Sequence, residues 1–293
     1  MLTRGALGSF VLLLGGLVVA VLPPTTPLLR SSFLSDLRDQ PAGPVVGMAL
    51  MVLGVGLLAH AWLQLCHGIA SAGAEGRERA MGTVRLAVVV WSVPLVLAPP
   101  LFSRDGWSYA AQGMMVRLGV SPYDHGPAVL HGPIVGAVDP IWMHTATPYG
   151  PLPLALGAIA ALHTGDPWVL VIAHRCFALI GLGLLVWAVP RMAAWTGVEA
   201  PLATAAVCAS PIMIANGVAG LHNDLLMVGL MAAALVVAAE RSWVWGSVLA
   251  GAAAAVKAPG VLVCLGIVLV SLPVGARLRA RRSEEHTSEL QSP

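Results

Sequence analysis

The sequence predicts an all-α polytopic membrane protein, on two observations of composition and one of pattern. Of its 293 residues, 57% are hydrophobic and only 10% are charged, and the mean hydropathy is +0.83. A soluble domain carries roughly 25% charged residues, so this chain has too little charge to coat a water-facing surface, and lipid must cover it. The pattern is a series of apolar runs close to the ~20 residues a helix needs to cross a bilayer. They fall at 5–22, 44–66, 84–101, 167–190, 200–217, 222–239, 243–256 and 259–274. With the shorter run at 151–163 they predict about eight or nine spans.

The first run is followed by Pro23, Pro24 and Pro27 rather than by a small-residue cleavage site, so it reads as a retained helix and not a signal peptide. Arg77, Arg79 and Arg85 separate the second and third runs. The outer loop 102–150 comes next. Within it, Trp107, Ala110, Ala111, Met114, Met115 and Leu118 recur at helical spacing. They predict a helix over 106–118 lying along the membrane surface, stopped by Gly119. Pro122, Gly126, Pro127, Gly132, Pro133, Pro140 and Pro148 then predict an irregular but ordered loop. The run 151–163 is bracketed by prolines and reads as a short span or a helix partly in the interface. Cys66, Cys176, Cys208 and Cys264 lie inside apolar runs without a CxxC pair, and read as small buried apolar residues.

The basic run Arg277, Arg279, Arg281, Arg282 precedes a tail, Ser283 to Pro293, that resembles the in-frame translation of a sequencing-library adapter. The chain therefore reads as residues 1–281 of the N-terminal portion of a membrane domain, with 282–293 non-native. Lys and Arg mark cytoplasmic loops. Placing Arg77–Arg85 and the 277–282 run inside puts 104–150 outside, provided that 151–163 and 167–190 make one net crossing. The small net charge of +2 does not point to nucleic acid.

The polar residues gather in the outer loop, and polarity in so apolar a chain marks function. Asp105, at the end of the third run, suits a general base that takes a hydroxyl proton; it equally suits an N-cap for the helix that follows. Tyr109 shares its helical face, with Ser108 and Gln112 as further hydrogen-bonding groups. Tyr123 and Tyr149 are the other two tyrosines, each framed by Pro or Gly. His125, His131 and His144 lack metal-ligand spacing, and Asp139 before Pro140 suits a turn. His222, Asn223 and Asp224 read either as a second polar wall or as a helix cap. Lys257 beside Pro259, and Arg175 within an apolar run, are candidate cations for a lipid phosphate; the alternatives are snorkelling and a structural ion pair. No nucleotide fingerprint or HExxH is present, and no metal or other cofactor is expected.

The ordered set D-G-W-S-Y-A-A-Q-G, S-P-Y-D-x-G-P, D-P-x-W, T-P-Y-G-P, H-N-D and K-A-P resembles the actinobacterial polyprenol-phosphomannose-dependent α-1,6-mannosyltransferases of the GT-C superfamily. The resemblance covers most of residues 40–275. It implies a GT-C-like helix bundle with a large extracytoplasmic catalytic loop in the bacterial plasma membrane. It further implies a polyprenyl-phosphate-mannose donor and an α-1,6-mannan acceptor on a lipomannan-type glycolipid, with inversion at the anomeric carbon. Asp105 matches the family's acidic position and would be the base. Two alternatives stay open: a GT-C transferase for another lipid-linked sugar such as decaprenyl-phosphoarabinose, and a polyprenyl-lipid transporter. The transporter predicts polar residues spread through several spans rather than gathered in one loop.

Overall fold

The computed structural model describes residues 1–272. The adapter-like tail and the 277–282 basic run lie outside them. In chain order the helices are α1 (Leu2–Val19), α2 (Ser32–Asp39), α3 (Gly43–Ala70), α4 (Ala74–Ser92), α5 (Asp105–Arg117), α6 (Pro133–Ala137), α7 (Pro151–His163), α8 (Pro167–Thr196), α9 (Ala200–Cys208), α10 (Asp224–Glu240), α11 (Trp243–Val256) and α12 (Val263–Ser271).

Among the described residues, four helices are long and apolar enough to cross a membrane, or five if α9 and the π-helical turn Ile212–Ala219 form one bent span. This is fewer than the apolar runs predict. The reason is local: Asp224 opens α10, Lys257 and Pro259 divide α11 from α12, and the run at 151–163 yields a helix of 13 residues. Helices this short do not reach across ~30 Å of hydrocarbon by themselves.

Small residues set the packing. In lipid, helices gain little from apolar burial and associate through close backbone approach. A Cβ on Gly8 would lie 2.8 Å from the backbone nitrogen of Leu58, and one on Gly54 would lie 2.7 Å from that of Leu12. The α1–α3 contact is therefore glycine-dependent. Trp91 Nε1 donates to the Leu2 carbonyl at 3.1 Å, tying α4 to α1, and Trp62 Nε1 donates to the Ala205 carbonyl at 2.9 Å, tying α3 to α9. The last carbonyls of α1 have no partner within the helix; the Arg38 guanidinium of α2 takes those of Leu17, Val18 and Ala20.

Three expectations change here. The α5 helix forms where predicted and ends at Gly119 with φ of 75°, but it is enclosed by the chain on several sides rather than covered on its apolar stripe alone. Gly106 through Gly113 and Met115 are all buried. Its small residues admit neighbours on several sides: a Cβ on Gly113 would stand 2.7 Å from the Gly157 backbone of α7. The cysteines are free, but only Cys208 is buried, and Cys176 and Cys264 are exposed. In a bundle whose outer face is apolar, a small apolar residue is as well placed outward as inward. Finally, neither Asp105 nor Asn223 caps a helix through its side chain.

Candidate active site

The site forms at the end of the bundle where α4 ends, α5 and α10 begin and α11 stops. Pro94 lacks the N–H that would continue α4, and the chain tightens into a 3-10 turn over Val93–Leu97. Beyond it, Phe102 takes a φ of 65°, and Leu221, just before His222, takes 57°. These are the described residues other than glycine with positive φ. Such backbone costs on the order of 1–3 kcal/mol and persists where the surroundings impose it. Each precedes a site residue, Asp105 and His222.

Asp105 is the first residue of α5, and its carboxylate faces outward from the helix start rather than capping it. One oxygen accepts a hydrogen bond from Trp142 Nε1 at 3.1 Å, and the other lies 3.6 Å from His222 Nδ1. The second distance is within ion-pair range and beyond a good hydrogen bond. The Asp105 side chain is 25% exposed and that of His222 23%, so the pair is mostly enclosed yet reachable. The D-P-x-W segment explains Trp142. Asp139 accepts from the Ile141 N–H at 3.0 Å, and Pro140 starts a 3-10 turn through Trp142. Asp139 thus initiates a turn as predicted, and that turn delivers the indole to Asp105.

A second cluster adjoins the first. Lys257 Nζ reaches both carboxylate oxygens of Asp224, at 2.9 and 3.2 Å, and sits 5.2 Å above the Tyr149 ring. Burial opposes its charge most strongly of any one cause, but the bond and charge of Asp224 together with the nearby Tyr149 and Asp105 outweigh it and hold its pKa above the ordinary lysine value. Tyr149 is pinned there by backbone, since it bridges Lys257 and the Gly150 N–H donates to the Val256 carbonyl at 2.9 Å. The Tyr149 and Tyr109 hydroxyls meet at 2.8 Å with their rings edge to face. Burial raises both phenols above the usual tyrosine range, Tyr109 the more. Thr147 Oγ1 donates to the Gln112 amide oxygen at 3.1 Å, and Ser108 Oγ is buried without a partner.

The structure therefore brings together Asp105, Ser108, Tyr109, Gln112, Tyr149, His222, Asn223, Asp224 and Lys257. It leaves out two residues. Tyr123 is 50% exposed on the surface. Arg175 is fully buried and donates to the carbonyls of Val96, Val218 and Ala219 at 2.9, 3.1 and 3.3 Å. A guanidinium committed to three carbonyls is a structural clamp. It joins the turn that leads to Asp105 and the π-helical turn that leads to His222, whose Ala219 carbonyl also accepts the Leu101 N–H at 3.1 Å. Sequence reasoning missed Trp142 and Thr147; the D-P-x-W spacing was the available signal for the first.

Two cavities lie near the carboxylate, one lined by its neighbour Arg104 and the other by its partner His222. One of about 660 Å³ runs between the end of α1, the middle of α3 and residues 100–104. The other, about 380 Å³, is lined by Asn216, His222 and Asp224 among apolar residues of the π turn and α10. Among the described residues no group of three His, Cys, Asp or Glu is placed to hold a metal ion.

The family model described as "Alpha-(1->6)-mannopyranosyltransferase, N-terminal domain" matches residues 2–273. The chain belongs to this family. Among its relatives, the protein named Alpha-(1->6)-mannopyranosyltransferase A of Mycobacterium tuberculosis is 35% identical over 279 residues, covering 95% of this chain and 52% of the relative. That of Corynebacterium glutamicum is 34% identical, covering 78% of this chain and 48% of the relative. A second M. tuberculosis member, Alpha-(1->6)-mannopyranosyltransferase Rv1459c, is 42% identical over 48% of this chain and 25% of its own length. The chain spans about half the length of the first two of these relatives. No solved structure matches it. Family membership agrees with the all-α membrane architecture, and Asp105 heads the buried helix that this domain sets at its polar end.

Proposed function

We propose that the protein is an inverting glycosyltransferase that moves mannose from a polyprenyl phosphate to an α-1,6-mannan acceptor on the outer face of the plasma membrane. The observation that carries this reading is the Asp105 carboxylate, held by Trp142 and beside His222, where the adjacent Arg104 lines one cavity and His222 lines another. Asp105 takes the proton of the acceptor hydroxyl as that oxygen attacks the anomeric carbon. The bond from that carbon to the phosphate oxygen breaks, and the phosphate leaves with the electron pair. Displacement from one face inverts the centre. A base in this role contributes about 10²–10⁴-fold.

Asp224, Lys257 and Tyr149 form a wall with a carboxylate, an ammonium and an aromatic face, a combination suited to sugar hydroxyls and a sugar ring. The mannose and α-1,6 specificities rest on the names of the relatives. An outward orientation is supported by charge: Arg79 and Arg85 lie along the first part of α4, and Arg191 and Arg241 follow the long axis of α8 and α10 away from the site.

The test is transfer by the full-length protein in membranes of a host lacking this activity, supplied with radiolabelled polyprenyl-phosphate-mannose and a short α-1,6-mannoside. Label is expected in the extended product with the parent protein and not with Asp105→Asn, at equal membrane content. Retained transfer by Asp105→Asn would overturn the base assignment. Label from an arabinose donor alone would move the substrate to a pentose, and lipid movement without transfer would favour a transporter.

A further inference from the structure

We propose that the cavity of about 660 Å³ between α1, α3 and residues 100–104 takes the apolar chain of an isoprenoid phosphate, with Arg104 as the cation that meets its phosphate. The inference rests on the reading of the protein as a user of a lipid-linked donor, and it assigns where that donor lies.

The lining carries the argument. Val19, Val21, Met51, Val55, Leu101 and Trp107 make the walls apolar, and Ser103, Arg104 and Asp139 make the lining polar elsewhere, with Arg104 its one cation and Asp139 its one acid. Two further lining residues, Met48 and Val52, are 56% and 70% exposed on the flank of α3. A helix flank of this composition faces lipid, so the cavity opens sideways into hydrocarbon and not only toward water. A ligand entering by that route needs a long apolar chain, and one staying there needs an anion at the Arg104 end.

Elimination among the neighbouring cations points the same way. Lys257 is matched by Asp224, Arg175 is consumed by three carbonyls, and Arg38 by the carbonyls at the end of α1. The Arg104 guanidinium has no hydrogen-bonded or ion-paired partner among the described residues. Its position also fits the geometry of displacement. Successive residues at a helix start diverge by about 100°, so Arg104 lines one cavity while the neighbouring Asp105 turns to His222, which lines the other. The departing phosphate and the attacking hydroxyl would then lie on opposite sides of the anomeric carbon, with the base on the hydroxyl's side.

The experiment uses the full-length protein in detergent and a short-chain isoprenyl phosphate bearing a photoactivatable diazirine, without sugar or turnover. Labelled peptides are expected within 19–21, 48–55 or 100–107. Arg104→Gln should weaken labelling about tenfold, the worth of one charge-assisted contact, and Arg104→Lys should restore most of it. Val52→Trp, at an exposed rim position where the fold tolerates a larger side chain, should block labelling with melting temperature unchanged. Competition separates the two sources of lipid phosphate. Displacement by unlabelled isoprenyl phosphate but not by dioleoyl phosphatidic acid supports the assignment; equal displacement by phosphatidic acid overturns it in favour of a general phospholipid cleft. Labelling elsewhere, or labelling indifferent to Arg104 and Val52, also overturns it. Because binding is read without transfer, intact binding with no mannose transfer would fault the proposed reaction and not this site.

Discussion

Trp142 and Asp105, 37 residues apart, meet through an indole N–H donated to a carboxylate oxygen at 3.1 Å. The bond fixes the carboxylate's rotation and leaves its second oxygen toward His222. Trp142→Phe keeps the ring and removes the donor. It is expected to lower kcat about tenfold, one charge-assisted hydrogen bond, with KM little changed. Steady-state kinetics check this; a matching rise in KM would make Trp142 a substrate contact instead.

The Tyr109–Tyr149 pair makes stability fall at alkaline pH. Both phenols have raised pKa values, so the fold favours their neutral forms. Their contribution is complete below the ordinary tyrosine value of about 10 and is lost as pH rises through the higher folded values. Lys257, also raised, acts in the same sense and the same window. In a Lys257→Met background, replacing both tyrosines by Phe should flatten the loss of melting temperature as pH rises above about 10. Tyr149→Phe alone orphans the buried Tyr109 hydroxyl and should cost about 1–3 kcal/mol.

The Lys257–Asp224 pair separates stability from function. The two side chains are 28% and 42% exposed, so water screens them and their coupling should stay below about 1 kcal/mol in a double-mutant cycle. Transfer should fall by about tenfold or more in either single variant, because the pair presents charge where the sugar lies. Melting temperatures and initial rates on the same preparations test both halves.

Arg175 predicts the reverse split. Arg175→Met removes the guanidinium from the Val96, Val218 and Ala219 carbonyls, of which Ala219 keeps the Leu101 N–H, and should destabilise by about 3 kcal/mol. Arg175→Lys should not rescue it, since one ammonium cannot span the three acceptors. Thermal unfolding of purified protein is the measure. A stable Arg175→Met variant that had lost only donor affinity would return Arg175 to the phosphate.

Much of this protein is legible in its sequence. Composition alone requires lipid around it, because 10% charged residues do not coat a soluble surface. Signals that act over a few residues also read correctly: the start of α5 near Asp105, its stop at Gly119, and the Asp139 turn. Only the tertiary structure decided that α5 is buried, that Arg175 is a clamp, that Lys257 pairs with Asp224, and that Trp142 reaches Asp105. The reason is physical. Turns and caps are set by backbone groups within one turn of chain, whereas in a membrane protein the faces toward lipid and toward the bundle are both apolar. Hydropathy therefore marks the helices without saying which way they face. The partners of the few polar groups depend on which helices come into contact.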